Sequence, residues 1–167
     1  DSGDILMQKK VSIKEDDNML TLGTRLCTYG ASMMLEVLND IERNKHVKRY
    51  RQNSKLVTLA PKIQKEMTII NWGWEAKKIH NWVRGLSPYP GMSTNYHGKR
   101  LRIFKASVET KVSMNPGTIV EAKNDRLVIA TGKDSIRIYE LQLDGKKRMH
   151  VSDFLRGNKM KPGETFN

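Results

Sequence analysis

The chain holds one cysteine, Cys27, among 167 residues, so no internal disulfide can form and the sequence fits a reducing compartment. No apolar run approaches the length of a bilayer span, and the first residues lack the charged-then-apolar order of a secretory leader. Aromatic residues make up only 7% of the chain, which leaves few rings for stacking on bases. The four histidines, His46, His80, His97 and His150, share no metal-ligand spacing with one another or with Cys27, so no metal site is expected. There is no internal repeat and no low-complexity tract. Between residues 43 and 65 there is no Asp or Glu. An initiator methionine is also missing: the chain opens Asp-Ser-Gly-Asp and is expected to be a fragment or a processed product.

What is present supports a folded, basic protein. Hydrophobic residues at 38% and charged residues at 29% allow a packed core and argue against wholesale disorder. The formal charge of +12 favours polyanions and acidic surfaces as partners, and says nothing about fold. That charge is uneven. Residues 1–42 are net negative, whereas 43–65 carry Arg43, Lys45, Lys48, Arg49, Arg51, Lys55, Lys62 and Lys65 without a counter-charge. Eight uncompensated cations repel one another, so 43–65 reads as an extended basic linker.

Residues 4–13, apolar and β-branched, predict a strand or a strand pair. Asp16-Asp17-Asn18 offers N-cap side chains for a long helix whose stripe is Leu22, Leu26, Met33, Val37 and Ile41, despite Gly23 and Gly30. Cys27 falls within it and reads as a small core residue. So wide an apolar face needs a partner surface that 1–18 are too few to supply, and 1–42 therefore read as the tail of a larger α/β domain. A second helix is expected from about Trp74 to Arg84, with Ile79, Trp82 and Val83 inward and Gly85 as its stop. Ser87-Pro88-Tyr89-Pro90-Gly91 is a rigid packing turn. Strand-like runs follow at 101–109, 117–122, 126–131 and 135–143, broken at 123–125 and 132–134 by hairpin residues. Their spacing suggests a small closed or partly open barrel. Ser152 caps a last short helix, 153–156, ended by Gly157.

Three blocks carry a family resemblance: KIQKEMTIINW (62–72), VRGLSPYPGM (83–92) and VIATGKDSIRIYELQLDGKKRMHVSDFLRG (128–157). In order and spacing they resemble the C-terminal domain of methionyl-tRNA formyltransferases, whose barrel is OB-like. The run from Leu141-Gln142 through Gly145-Lys146-Lys147 and Met149 to Asp153-Phe154-Leu155 is the most specific part. Asp1-Ser2-Gly3-Asp4 resembles the family's Asp-Thr-Gly-Asp motif, and residues 5–42 resemble the strand and last helix of its catalytic fold. The resemblance implies an α+β chain. Residues 1–42 would end a Rossmann-like formyltransferase domain (strand and long helix), 43–65 would be the linker, and 66–167 an OB-like tRNA-binding domain with flanking helices. Two departures stand out: Ser2 replaces the usual Thr, and Asn71-Trp72-Gly73 stands where Asp-Trp-Ser is more frequent. The family's Asn-x-His pair, its tRNA-gripping loop and most of its folate pocket would lie upstream of Asp1.

The activity so implied is transfer of a formyl group from 10-formyltetrahydrofolate to the amino group of methionine on initiator tRNA. A neutral amine attacks the formyl carbon through a tetrahedral oxyanion, so one group must manage protons and others must face the oxyanion. The resemblance makes Asp1 the catalytic carboxylate and Gly3 a cofactor-binding backbone position. Without it they would read as a frayed terminus and an ordinary turn glycine. The tRNA-binding cations are expected to be Lys45, Lys48, Arg49, Arg51, Lys62, Lys65, Lys146, Lys147 and Arg148, with Lys62 and Lys65 on the acceptor-stem side. Lys99, Arg100 and Arg102 open the barrel. A charge run is more often a solvated face; here the absence of acids in 43–65 weighs against that. Trp72, Trp74 and Trp82 are assigned to packing. A monomer is expected, in the bacterial cytoplasm or an organelle matrix, with no membrane or DNA partner and no turnover by this chain alone. Two other readings stay open. A formyltransferase acting on a nucleotide amino sugar shares the Pro-Tyr-Pro-Gly turn but has little use for a long basic surface. A non-enzymatic OB-fold RNA-binding module predicts stacking aromatics on its strands, where only Phe104 and Tyr139 stand.

Overall fold

The structure is a computed structural model and describes residues 2–43, 46–109 and 113–167. It divides into two compact units, Asp1–Lys62 and Ile63–Asn167, each described by itself.

In the first unit a 24-residue helix, α1 (Met19–Glu42), begins where local chemistry says it should. Asn18 is extended and its Oδ1 accepts from the N–H groups of Leu20 and Thr21, each at 2.9 Å. Thr21 Oγ1 accepts from Asn18 N–H at 2.9 Å, completing a reciprocal cap. One turn on, the Arg25 guanidinium donates to Asp17 Oδ1 at 2.9 Å, to Asp17 Oδ2 at 2.5 Å and to the Ser12 carbonyl at 3.0 Å. Asp17 is only 4% exposed, and this guanidinium holds its carboxyl well below the usual carboxylate range. The pair pins residues 12–17 to the helix. No residue of α1 is buried: Leu20, Leu26, Met34, Leu35, Leu38 and Ile41 are between 46% and 63% exposed. Cys27 is exposed too, which corrects its reading as a core residue.

The expected strand over 4–13 does not form. Its one β contact is an antiparallel bridge between Ile5 and Tyr50, whose backbone groups exchange two 2.9 Å hydrogen bonds. Apolar, β-branched residues favour a strand only beside another strand, and among the described residues none lies there. From 46 to 62 the chain is irregular apart from Tyr50 and a 3₁₀ turn at Ser54–Leu56.

The second unit opens with a 3₁₀ turn (Lys65–Thr68) and a helix, α2 (Ala76–Gly85). Five strands follow, β1 (Met92–Tyr96), β2 (Lys99–Glu109), β3 (Ile119–Lys123), β4 (Arg126–Ala130) and β5 (Ser135–Leu143). A two-residue β6 (Met149–His150) then leads into α3 (Val151–Gly157). The antiparallel sheet has the order β1-β2-β5-β4-β3, with β6 beside the end of β5. Two-residue turns with left-handed residues join β1 to β2 (His97, φ 49°, and Gly98, φ 74°) and β3 to β4 (Asn124, φ 56°).

The strand path is open. Its two outer strands, β1 and β3, are stitched to each other by the C-terminal segment. Asn95 and Asn167 exchange backbone hydrogen bonds of 2.8 and 3.1 Å, Phe166 N–H donates to the Gly117 carbonyl at 2.9 Å, and Ile119 N–H donates to the Glu164 carbonyl at 2.7 Å. Phe166 is buried against Trp72 and Tyr96, with ring centroids 5.6 and 5.1 Å apart. The Tyr96 hydroxyl donates to Glu164.

Alternation buries Leu101 and Ile103 of β2, Leu127 and Ile129 of β4, and Ile136 and Ile138 of β5 against Ile79 and Val83 of α2 and Phe154 of α3. The imperfect alternation of β5 has a cause: its register with β2 shifts between Ile103 and Ala106, so Leu141 returns to the core three residues after Ile138. The helix starts differ from expectation by a turn or less. α2 begins at Ala76 because Asn71–Trp74 forms a turn, with Gly73 N–H donating to Asn71 Oδ1 at 2.9 Å. Ala76 N–H finds the Lys133 carbonyl at 3.0 Å. That backbone partner replaces the capping side chain the sequence lacks there. α3 begins at Val151, capped by His150 Nδ1, which accepts from Ser152 N–H at 3.4 Å; Ser152 is not the cap. Gly132 lies flat on the 71–74 turn, its N–H shared between the Trp72 and Trp74 carbonyls at 2.9 Å each. A Cβ there would sit 2.0 Å from the Gly73 carbonyl oxygen.

Candidate nucleic-acid interface

At one end of the second unit the fold gathers cations that are far apart in sequence. Antiparallel pairing sets Arg102 opposite Ser93 on one side and Gln142 on the other, and Leu101 opposite Leu143. The loop after β5 is then held beside the start of β2: Asp144 N–H donates to the Arg100 carbonyl at 2.9 Å, and Gln142 Nε2 donates to the Lys146 carbonyl at 2.7 Å. The 3₁₀ turn of Lys65 joins the same neighbourhood. Thr68 Oγ1 donates to the Lys65 carbonyl at 2.7 Å, Ser93 Oγ donates to the Thr68 carbonyl at 3.3 Å, and Arg100 Nη2 donates to Ser93 Oγ at 3.2 Å. Hydrogen bonds thus tie the backbones of Lys65 and Lys146 to the corner of β1, β2 and β5 that also carries Arg100 and Arg102. The side chains of Lys65, Lys99, Lys146 and Lys147 are exposed, and among the described residues none of these four, nor Arg102, makes an ion pair.

Arg148 is different. Its guanidinium lies 4.5 Å over the Phe104 ring, and its Nε donates to Glu140 Oε2 at 2.8 Å. Much of its charge is already answered. Arg126 and Arg137 are likewise engaged, the first by Glu109 and Glu121, which raise its pKa further, the second by Asp125 at 2.9 Å. Two of the strand aromatics are lidded: Phe104 by Arg148, and Tyr139 by Arg137 at 4.8 Å. Trp72 is buried and donates from Nε1 to Thr94 Oγ1 at 3.0 Å, whereas Trp74 and Trp82 are half-buried. Tyr89 does not pack; it is 78% exposed on its proline-flanked turn, because the turn is anchored through Leu86, Ser87 and Gly91 instead.

In the first unit Lys48, Arg49, Arg51 and Lys62 are exposed. Arg49 and Arg51 flank Tyr50, which bridges Ile5, and Gln52 Nε2 donates to the Gly3 carbonyl at 2.8 Å. The start of the basic stretch therefore folds back on the Ser2-Gly3-Asp4 motif. Gly3 has open space about its α-carbon, so sterics alone do not demand glycine. Asp1 and Lys45 lie outside the described residues. Among the described residues no three His, Cys, Asp or Glu side chains gather as a metal site would need, and no helix is long and apolar enough to cross a membrane.

Comparison with known proteins adds the following. The family profile described as formyl transferase, C-terminal domain, matches residues 62–159. The methionyl-tRNA formyltransferase of Desulforamulus reducens is 37% identical over 165 residues, 98% of this chain and 52% of that protein. That of Staphylococcus epidermidis is 40% identical over 158 residues, 94% of this chain and 51% of that protein. The chain spans about half the length of the curated relatives it matches. Among solved structures, a HypX variant from Aquifex aeolicus shares the fold with a TM-score of 0.69 at 19% identity, over 93% of this chain and 28% of that one. HypX in complex with tetrahydrofolic acid matches with a TM-score of 0.57 at 22% identity, over 73% of this chain and 22% of that one.

Proposed function

The chain belongs to the formyl transferase C-terminal domain family, and from that premise we propose that it is the C-terminal half of a methionyl-tRNA formyltransferase. In this reading the whole protein moves a formyl group from 10-formyltetrahydrofolate to the amino group of methionine on initiator tRNA. The relatives' names support the substrate, and the tetrahydrofolic acid in the HypX complex supports a folate donor. Residues 1–42 would end a Rossmann-like catalytic domain, whose remainder covers the apolar face of α1. Residues 43–65 would be the basic linker, and 66–167 an OB-like domain, its open sheet completed by the C-terminal stitch.

The observation that carries the reading is the convergence of Lys65, Arg100, Arg102, Lys146 and Lys147. Evenly spaced phosphates want such cations, and a small sugar nucleotide would not use them all. Asp1 would accept the proton that the methionyl amine loses on attacking the formyl carbon, with Gly3 letting the backbone run beside the donor. Arg49 and Arg51, held next to Gly3, would lead the acceptor end of the tRNA toward that carboxylate. Lys48 and Lys62 would extend the same track, Lys45 would be a further tRNA-binding cation by its sequence, and Arg148 would contribute least because Glu140 already holds it. The protein would act as a monomer in the cytoplasm.

Fluorescence anisotropy with labelled initiator tRNA, repeated across a salt series, tests this. Binding that weakens steeply with salt is expected, with no formyl transfer by this chain alone. Salt-insensitive binding of a UDP-sugar in place of tRNA would reverse the assignment, and appreciable turnover would mean that the catalytic groups are misplaced.

A further inference from the structure

The loop between β5 and β6 carries a chemistry separate from its charge. Asp144-Gly145 is the chain's one Asp-Gly pair, and no Asn-Gly occurs. Both residues are exposed, and Gly145 adopts a left-handed φ of 72° with open space where a Cβ would stand. Among the described residues the Asp144 carboxylate makes no ion pair, and the Gly145 N–H makes no backbone hydrogen bond. The carboxyl carbon and the next amide nitrogen are therefore both uncommitted, and Gly145 has no side chain to keep them apart.

The other described aspartates lack this combination. After Asp4, Asp16 and Asp17 the following N–H is already committed. That of Ile5 donates to the Tyr50 carbonyl at 2.9 Å, that of Asp17 to the Lys14 carbonyl at 3.2 Å, and that of Asn18 to Thr21 Oγ1 at 2.9 Å. Asp40 lies inside α1 and Asp153 inside α3. Asp125 and Asp134 precede Arg126 and Ser135, whose side chains crowd the nitrogen and which open β4 and β5.

We propose that Asp144 is a modification site, isomerising spontaneously to isoaspartate and so releasing the basic loop from β2. The Gly145 nitrogen attacks the side-chain carboxyl carbon of Asp144. An N–C bond forms, and the carboxyl hydroxyl leaves as water with the amide proton. Water then opens the resulting succinimide at the former main-chain carbonyl, breaking the bond from that carbon to the Gly145 nitrogen. The main chain now runs through the old side chain, and the old main-chain carbonyl has become a carboxylate. Charge and mass are unchanged, but the backbone is longer by one methylene, about 1.5 Å. Three bonds set the loop and depend on the original spacing. Asp144 N–H donates to the Arg100 carbonyl at 2.9 Å, Lys146 N–H to the Leu143 carbonyl at 2.9 Å, and Gln142 Nε2 to the Lys146 carbonyl at 2.7 Å. Such an insertion exceeds what they can absorb, since a hydrogen bond from nitrogen to oxygen is made only out to about 3.2 Å. Lys146 and Lys147 thereby lose their fixed place. That this weakens RNA binding rests on the proposed function; the isomerisation does not.

The test ages the full 167-residue chain at physiological temperature and mildly acidic pH, where the hydroxyl leaves readily as water. Trypsin digestion then yields the peptide 138–146. From the wild type a second peptide of identical mass is expected, which Asp-N endoprotease leaves uncut at residue 144. It should be absent from Asp144→Glu, whose longer side chain cannot close the five-membered ring. It should also be absent from Gly145→Asn, whose Cβ shields the nitrogen while Asn tolerates the left-handed φ. Unchanged circular dichroism verifies that both variants fold. In the isomerised protein the Lys146 amide should lose its protection against solvent exchange, while amides of β4 keep theirs. No second peptide, or an equal amount from Gly145→Asn, overturns the proposal. Protection retained at Lys146 in the isomer overturns the release of the loop. Labelled initiator tRNA supplies the last arm: an unchanged salt slope after ageing overturns the consequence for RNA binding. Should fresh wild-type protein fail to bind tRNA at all, the proposed function falls, and the modification is judged on the peptides alone.

Discussion

Substituting Gly132 by alanine should unfold the second unit more effectively than any surface change. The new methyl would sit 2.0 Å from the Gly73 carbonyl oxygen, 2.7 Å from its carbon and 3.3 Å from the Trp74 carbonyl oxygen. All three are backbone atoms, so no side-chain rotation relieves the overlap. Reaching ordinary contact requires the two segments to part by roughly 1.5 Å. That opening breaks the hydrogen bonds from Gly132 N–H to the Trp72 and Trp74 carbonyls, each contributing about 0.5–1.5 kcal/mol. It also displaces Trp72 from Phe166, a repacking cost of about 1–3 kcal/mol. The sum is about 2–6 kcal/mol, which for a unit of about 100 residues lowers Tm by at least ~8 °C. Urea unfolding followed by tryptophan fluorescence reads this directly, since Trp72, Trp74 and Trp82 all lie in the second unit. Gly73→Ala is the control: its Cβ would meet only the Asn71 Oδ1 atom, at 3.1 Å, and should cost under about 1 kcal/mol. A Gly132→Ala protein within about 0.5 kcal/mol of wild type would refute the reasoning.

Phe166→Ala should destabilise the same unit by about 3–5 kcal/mol in urea titration, because a buried ring between Trp72 and Tyr96 leaves a cavity. Arg102→Gln should reduce the salt slope of tRNA binding by roughly 1, and Arg148→Gln by less than half as much, since Glu140 already neutralises Arg148; anisotropy across a salt series compares them. Arg25→Ala should loosen the first turns of α1, seen as lost helicity by circular dichroism. The Asp17 carboxyl is held below its ordinary value by Arg25, so its stabilisation is complete above about pH 4 and fades as pH falls through the lowered value. Wild-type helicity should therefore drop on acidification in that window, while Asp17→Asn, already lacking the pair, should change little.

Features written into neighbouring residues were the legible ones. Asn18 and Thr21 announce the start of α1 because a cap is a contact across three residues, and Asn124-Asp125 announces a hairpin for the same reason. Features that need a distant partner were misread in both directions. Residues 4–13 have strand chemistry but, among the described residues, no strand to pair with, whereas Met92–Tyr96, mostly polar, becomes β1 because the His97-Gly98 turn lays it along β2. Tyr89 looks like a packing residue between two prolines, but the neighbours that anchor its turn leave the ring outside. The same holds for the cations. That Lys65 and Lys146 share a neighbourhood depends on Ser93 and Gln142, and that Arg148 is spoken for depends on Glu140; neither follows from spacing.

The stitch between β1 and β3 also orders events in time. Its bonds to β1 join positions 68 and 73 residues apart, so the chain must close a very long loop to make them. They are expected to form after β2, β4 and β5 have associated, and to open ahead of those strands on the way back. Amide protons at Asn95 and Ile119 should accordingly trade with solvent deuterium sooner than those of β5. On this expectation the seam, not the centre of the sheet, sets how long the unit stays shut.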